Sequence, residues 1–451
     1  MGHYPVVSRS MKRPQLWWAL VPLLLFFSPG GLFSAPGTPG APGAPGAPGT
    51  HVSLQSPQGL GRWYPTPPDI SARSAVVLDS DTGAVLFEKN ADIVIPPASL
   101  TKLAAMQVAL RATETGTVTL EDEVLLTPDS YALNMPPGSS LMFLGPGQRV
   151  TVDELLRGLA VPSGNDAAAA LAYHISGGVP QFIEKMNAEM ERLGLQHTRF
   201  EEPSGYSPLN QTTAREFAEF VRQYLDSWPE TLSEYHSLKE YAYPAPENLV
   251  APHAEGPILQ RNRNTLLWDY PGVDGLKTGF IPSSGYNIAL TAERDGRRLI
   301  IVLLGGPGEN HALGGASRAQ DGKVLLDYGF EEFEVLELGA PRVSGIRVWK
   351  GDRVDVELGV TTAPRITLPI GLRERLVGEL EYKDELEAPV QGGHSFGRAL
   401  WRVGETKVAE APLVAQFDVA RGGPISVLFD TLRLFFRSVG EFFAGLLASF
   451  M

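Results

Sequence analysis

The sequence predicts a mixed α/β body, then a small all-β domain, then a helical tail. Three observations predict this. Helix-forming segments between about residues 103 and 225 are bracketed by two β-rich hairpins. From Val335 to Val419 the pattern changes to short strands punctuated by Gly and Pro. Beyond residue 423, large apolar residues recur at steps of three and one, which is one face of a helix. A chain of 451 residues with 43% hydrophobic content can build such cores and is not disordered as a whole.

In chain order, Arg9, Lys12 and Arg13 precede the apolar run Leu16–Phe27. That run is too short for a bilayer, which needs about 20 residues. Residues 1–35 are therefore expected to be a signal peptide, with Met11 as an alternative start. Residues 36–64, opening PGTPGAPGAPGAPGT, read as a Pro/Gly-rich linker. The body is expected over 65–336. Ser74–Leu78 and Ala84–Glu88 flank an Asp/Gly turn and form a hairpin. Leu103–Arg111 is a helix former. Thr151 caps a helix over Val152–Ala160, with Asp153 and Glu154 in its first turn. Asp166–Tyr173 is alanine-rich and suits close packing. Pro180 and Gly194 bracket Gln181–Leu193, and Thr212/Thr213 open a helix running to about Leu225. Tyr286–Glu293 and Arg297–Leu304 flank Asp295-Gly296, a strong hairpin signal. A helix follows over Ser317–Tyr328. Ile346–Trp349, Val354–Leu358 and Arg365–Leu368 are strands of a β-sandwich domain over 337–422, and 423–451 is an amphipathic helix.

Composition excludes several functions. Lys+Arg number 38 against 51 Asp+Glu, a formal net charge of −13, which argues against a nucleic-acid partner. The absence of cysteine removes disulfides, thiolate nucleophiles and Cys-ligated metals. The eight histidines form no H-E-x-x-H or equivalent pair, so no metal is expected. No Gly-rich phosphate loop joins a strand to a helix, and no cofactor is expected.

Three short motifs carry chemistry. In Ser99-Leu100-Thr101-Lys102, positions i and i+3 share a helix face, so hydroxyl and amine can meet. A serine hydroxyl needs a base to attack, and a desolvated lysine serves as one. In Ser163-Gly164-Asn165, the hydroxyl can shuttle a proton, while the amide can donate to a substrate and accept from Lys102. In Lys277-Thr278-Gly279, on a late edge strand, the lysine offers a fixed charge to a carboxylate and Thr278 a hydrogen bond. Gly279 lets a substrate backbone lie close. Each motif alone occurs often by chance. All three in this order are far more specific.

With these motifs the sequence resembles the penicillin-binding proteins and class A β-lactamases. It is most similar to the low-molecular-weight penicillin-binding proteins that are serine D-alanyl-D-alanine carboxypeptidases. Gly138–Leu144 (GSSLMFL), Val161–Asp166 (VPSGND), Thr213–Glu216 (TARE) and Gly275–Gly279 (GLKTG) add to the likeness. The resemblance implies a penicillin-binding/β-lactamase-like transpeptidase fold of α+β type. It implies an acyl-enzyme on Ser99 with Lys102 as base, Ser163 as relay and Asn165 binding the substrate amide. Lys277 and Thr278 would hold the terminal carboxylate, with Arg318 beside them. The oxyanion hole would be the N–H groups of Ser99 and Phe280, where relatives often have His at the second position. The substrate would be a peptidoglycan stem peptide ending in D-Ala-D-Ala, with β-lactams as inhibitors. The enzyme would be exported and held at the outer face of a membrane by the tail.

A β-lactamase is the second reading. Class A enzymes use a Glu in E-x-x-L-N for deacylation. Glu201-Glu202-Pro203-Ser204-Gly205 lies at a similar distance but lacks the Leu-Asn. A non-catalytic wall-binding protein is third, and would be expected to have lost a nucleophile or base. Trp268 and Tyr270 read as packing residues. In the tail, Asp430, Arg433, Arg437 and Glu441 lie off the apolar face and prevent a spanning helix. A coiled coil or docking on the β domain is the rival to a membrane surface.

Overall fold

The computed structural model describes residues 5–10, 60–250 and 256–448. The segments expected as signal peptide and linker lie largely outside them. The chain divides into two compact units. One comprises Leu54–Val335 with Thr367–Ile370; the other comprises Leu336–Ile366, Gly371–Met451 and the N-terminal segment.

The first unit is built on a five-stranded antiparallel sheet. Its strands are β1 (Ser74–Asp79), β2 (Val85–Lys89), β3 (Val273–Ile281), β4 (Gly285–Arg294) and β5 (Arg297–Gly306), in the order β2-β1-β5-β4-β3. Side chains alternate across a strand. Val76, Leu78, Ile300, Val302 and Leu304 join one core, and Ala75, Val77, Leu299, Ile301 and Leu303 join the other. Both faces are covered, which is why β5 reads as an unbroken apolar run. The first core is filled by α1 (Thr101–Glu114), α2 (Val152–Ala160), α3 (Asn165–Ser176), α4 (Val179–Arg192) and α5 (Ala214–Ser227). The second is covered by α6 (His311–Glu331), through Leu325, Leu326 and Tyr328.

Local signals explain several boundaries. Thr151 and Glu154 form a reciprocal cap at α2, and Thr213 caps α5 through the Glu216 N–H. Helix α6 starts six residues before the expected Ser317, because the Asn310 side chain accepts from the Ala312 and Leu313 N–H groups. Helix α1 is buried from Thr101 through Leu110. It runs through the core, and this carries Lys102 out of solvent.

In the second unit, β6 (Arg342–Trp349), β7 (Asp355–Gly359), β8 (Leu376–Tyr382), β9 (Glu385–Glu387), β10 (Ser395–Val403) and β11 (Thr406–Ala415) form one sheet. Val6–Ser10, inside the expected signal peptide, pairs in parallel with β8 at one edge. Helix α7 spans Pro424–Ala448. Its polar side meets this unit. The Asp430 carboxylate accepts from the Lys350 N–H at 2.8 Å, and Arg437 pairs with Glu385 at 2.6 Å. Ile425, Phe429, Phe436 and Phe442 stay exposed. Among the described residues, no helix is long and apolar enough to cross a membrane.

Candidate active site

Ser99 sits in a 3-10 turn, Ala98–Leu100, that runs directly into α1. Ala98, just before it, has φ +52°, in the left-handed region that non-Gly residues rarely adopt. Complete burial of Ala98 and Leu100 holds the turn in place. Lys102 lies one helical turn on, and its Nζ comes 3.0 Å from Ser99 Oγ.

Two further oxygens meet that amine, Asn165 Oδ1 at 2.8 Å and the Ser204 carbonyl. Both can only accept. A neutral amine has two N–H groups and one lone pair. With both N–H groups taken by these acceptors, the lone pair is left for the Ser99 hydroxyl. Burial lowers the Lys102 pKa to about 7, with Arg263 acting in the same sense and Glu202 and Asp166 opposing it.

Ser163 and Asn165 flank a sharp turn into α3. Ser163 has φ +67°, and its buried hydroxyl has no hydrogen-bond partner among the described residues. A Cβ on Gly164 would lie 2.6 Å from the Asp166 carboxylate and 3.0 Å from Met142, so the centre of this motif has no room for a side chain. Asp166 accepts from the N–H groups of Met142, Phe143 and Leu144 and fixes that loop. The loop brings Ser139 to Asn165, whose amide donates to Ser139 Oγ at 3.1 Å.

The Lys277-Thr278-Gly279 motif lies on β3, an edge strand as expected. A Cβ on Gly279 would stand 3.0 Å from the Ser99 backbone nitrogen. The glycine therefore lets β3 pass beside the nucleophile. Lys277 is buried and donates to Thr278 O at 3.0 Å. Burial holds its pKa well below the ordinary lysine value, helped by Lys102, Arg263 and Arg318. Arg318 on α6 is buried, and its guanidinium lies 3.3 Å from the Gly279 carbonyl and 3.4 Å from that of Asn287. Burial lowers its pKa to about 10.

Ser99, Ser163, Asn165, Thr278, Gly279, Phe280 and Arg318 line one groove of about 1320 Å³. Lys102 and Lys277 are buried beside Ser99 and Thr278. Arg263 also lines the groove, and desolvation lowers its pKa. Sequence reasoning missed Arg263, and it assigned no role to Ser139, although that residue lies within the Gly138–Leu144 stretch. Both sit on loops without periodicity; a basic residue within the Arg261-Asn262-Arg263-Asn264 run was the available signal.

Phe280 stacks on Tyr286 with ring centroids 4.4 Å apart and meets His311 edge-on at 4.9 Å. These three rings form one side of the groove. The Glu202 carboxylate faces its own loop and accepts from Ser204 and Gly205. Tyr270 packs through its hydroxyl on Asp327 and under Arg294, and Lys239 lies over Trp268 at 5.7 Å.

The sequence profile described as D-alanyl-D-alanine carboxypeptidase matches residues 63–308, and that of the C-terminal domain of penicillin-binding protein 5 matches residues 330–421. The chain is 36% identical over 376 residues to a Haemophilus influenzae protein named D-alanyl-D-alanine carboxypeptidase DacA, covering 82% of this chain and 90% of that protein. It is 33% identical over 377 residues to Escherichia coli DacC, also named a D-alanyl-D-alanine carboxypeptidase, covering 82% of this chain and 90% of that one. Among solved structures it resembles penicillin-binding protein 5 from Haemophilus influenzae, with a TM-score of 0.70 and 35% identity over 79% of this chain and all of that one. It also resembles penicillin-binding protein 6B from Escherichia coli, with a TM-score of 0.63 and 32% identity over 80% of this chain and 99% of that one.

Proposed function

The chain belongs to the D-alanyl-D-alanine carboxypeptidase family, and from that premise we propose how its groove performs the reaction. The protein is a serine hydrolase that removes the terminal D-Ala from peptidoglycan stem peptides and is acylated by β-lactams.

Ser99 Oγ attacks the carbonyl of the penultimate D-Ala while its proton passes to Lys102 Nζ. The oxyanion is met by the backbone N–H groups of Ser99 and Phe280, which the close pass of β3 beside Ser99 favours. The C–N bond then breaks. The leaving D-Ala amine takes the proton from Lys102 through Ser163, whose hydroxyl has no partner among the described residues. Water attacks the ester, and the proton returns to Ser99 through Lys102. Asn165 holds the substrate amide and the Lys102 amine together. Thr278, Lys277, Arg318 and Arg263 receive the terminal carboxylate, whose charge restores the cationic form of Lys277 that burial disfavours.

The observation that carries this reading is the Lys102 amine, 3.0 Å from Ser99 Oγ and 2.8 Å from Asn165 Oδ1. The test is release of D-Ala from a peptide ending in D-Ala-D-Ala. Wild type should release it and Ser99→Ala should not; release by Ser99→Ala at the normal rate would remove the assignment. A β-lactamase is disfavoured because the Glu202 oxygens are occupied by loop donors.

The basic and apolar start of the chain supports export to a cell-wall compartment. Helix α7 supports attachment to a membrane surface: its polar side is engaged by its own unit, while a phenylalanine-rich stripe is left exposed.

A further inference from the structure

The carboxylate of Glu202 gathers five donors from one loop. Oε2 accepts from the Ser204 N–H at 2.8 Å and from the Ser204 hydroxyl. Oε1 accepts from Gly205 N at 2.6 Å, Ser207 N at 3.3 Å and Asn210 Nδ2 at 3.1 Å. Buried Asn210 also donates to the Glu202 carbonyl at 3.0 Å and to Thr101 Oγ1 at 3.1 Å. Thr101 is the residue before Lys102, so the loop is tied to the helix that carries the amine. The outcome of this folding is one inward-turned carbonyl, that of Ser204, on Lys102 Nζ.

We infer that Glu202 is a positioning residue for Lys102: its carboxylate shapes residues 202–207 so that the Ser204 carbonyl takes one N–H of the amine and aims its lone pair at Ser99. The inference rests on Lys102 being the base. Asn165 Oδ1 takes one N–H of the amine. Without a second acceptor the amine can rotate, presenting an N–H to Ser99 and turning its lone pair away. A carboxylate engaged by five donors holds a shape; it has little capacity left to activate water. Its charge has a second effect. The charged groups facing Lys102 are Glu202 from this loop, Asp166 from α3, Arg263 from its loop and Lys277 from β3. The two carboxylates favour the ammonium, and the other cations oppose it. Removing the Glu202 charge therefore lowers the Lys102 pKa further and leaves a more available but poorly aimed amine.

The test uses full-length Glu202→Gln and Glu202→Ala, with Lys102→Arg in parallel. The second-order rate constant for penicillin acylation is measured between pH 5 and 10, alongside the thermal midpoint. The Gln variant should lose about tenfold or more at its plateau, and its acid limb should move about half a pH unit or more downward. If the Ala variant does not fold, the near-isosteric Gln carries the test. A Gln plateau within about twofold of wild type with an unmoved limb overturns the inference. So does a slower rate with the limb in place, which is what loosened loop packing alone produces. Lys102→Arg should not acylate at any pH. Normal acylation there overturns the base assignment itself, a result separate from the Glu202 profile.

Discussion

A side chain at residue 205 would collide with residue 98: a Cβ on Gly205 would stand 1.8 Å from the Ala98 carbonyl oxygen, and Gly205 has φ +82°. The loop that supplies the Ser204 carbonyl thus rests directly on the turn that presents Ser99. Two backbone segments in contact define the nucleophile's surroundings.

Gly205→Ala should therefore be costly. The left-handed backbone and the overlap together predict a loss of about 2 kcal/mol or more. Displacing Ala98 should also slow acylation by more than tenfold. Thermal unfolding and a penicillin acylation rate measure both. A variant with wild-type values would mean that the loop and the turn move independently.

The two lysines should respond differently to arginine. Lys102→Arg keeps the charge but cannot act as a base, because guanidinium pKa exceeds about 12, and acylation should be lost. Lys277→Arg should keep measurable activity and mainly weaken the use of substrates with a free carboxylate. The comparison is of acylation by penicillin and turnover of a D-Ala-D-Ala peptide in each variant.

Acylation should follow the neutral fraction of Lys102. With its pKa lowered to about 7, the rate rises as pH increases through 7. At pH 6 about one tenth of the amine is neutral, so the rate should be about one tenth of its plateau. A lysine at its ordinary value would instead place the rise near pH 10. Stopped-flow acylation across this range separates the two.

Arg263 should matter for the terminal carboxylate. Arg263→Ala should raise KM for a D-Ala-D-Ala peptide by about tenfold or more, with little change for the corresponding C-terminal amide. Equal effects on acid and amide would assign it a structural role.

Much of the chemistry was legible because it lies on regular elements. Ser99 and Lys102 are three apart at a helix start, and helical geometry alone brings them together. Lys277 and Thr278 fall beside a hairpin whose Asp295-Gly296 turn reveals the strand pair. Arg318, which the resemblance places beside the carboxylate site, lies on a helix, and the structure buries it against the Gly279 carbonyl. Arg263, the part played by Ser139 and the Ser204 carbonyl were not legible, because loops place them through contacts with distant residues. The meeting of Phe280 with His311 joins β3 to α6, and only tertiary packing sets that. The start of α6 was missed because Gly314 and Gly315 lower helix propensity, while the Asn310 cap and burial against the sheet override it.

The central claim is that one serine, Ser99, forms the covalent intermediate. Intact-mass spectrometry after exposure to a penicillin tests it most directly. Wild type should gain the mass of one β-lactam, mapped to the peptide carrying Ser99, and Ser99→Ala should gain none. An adduct on another residue, or an unchanged adduct in Ser99→Ala, would contradict the account.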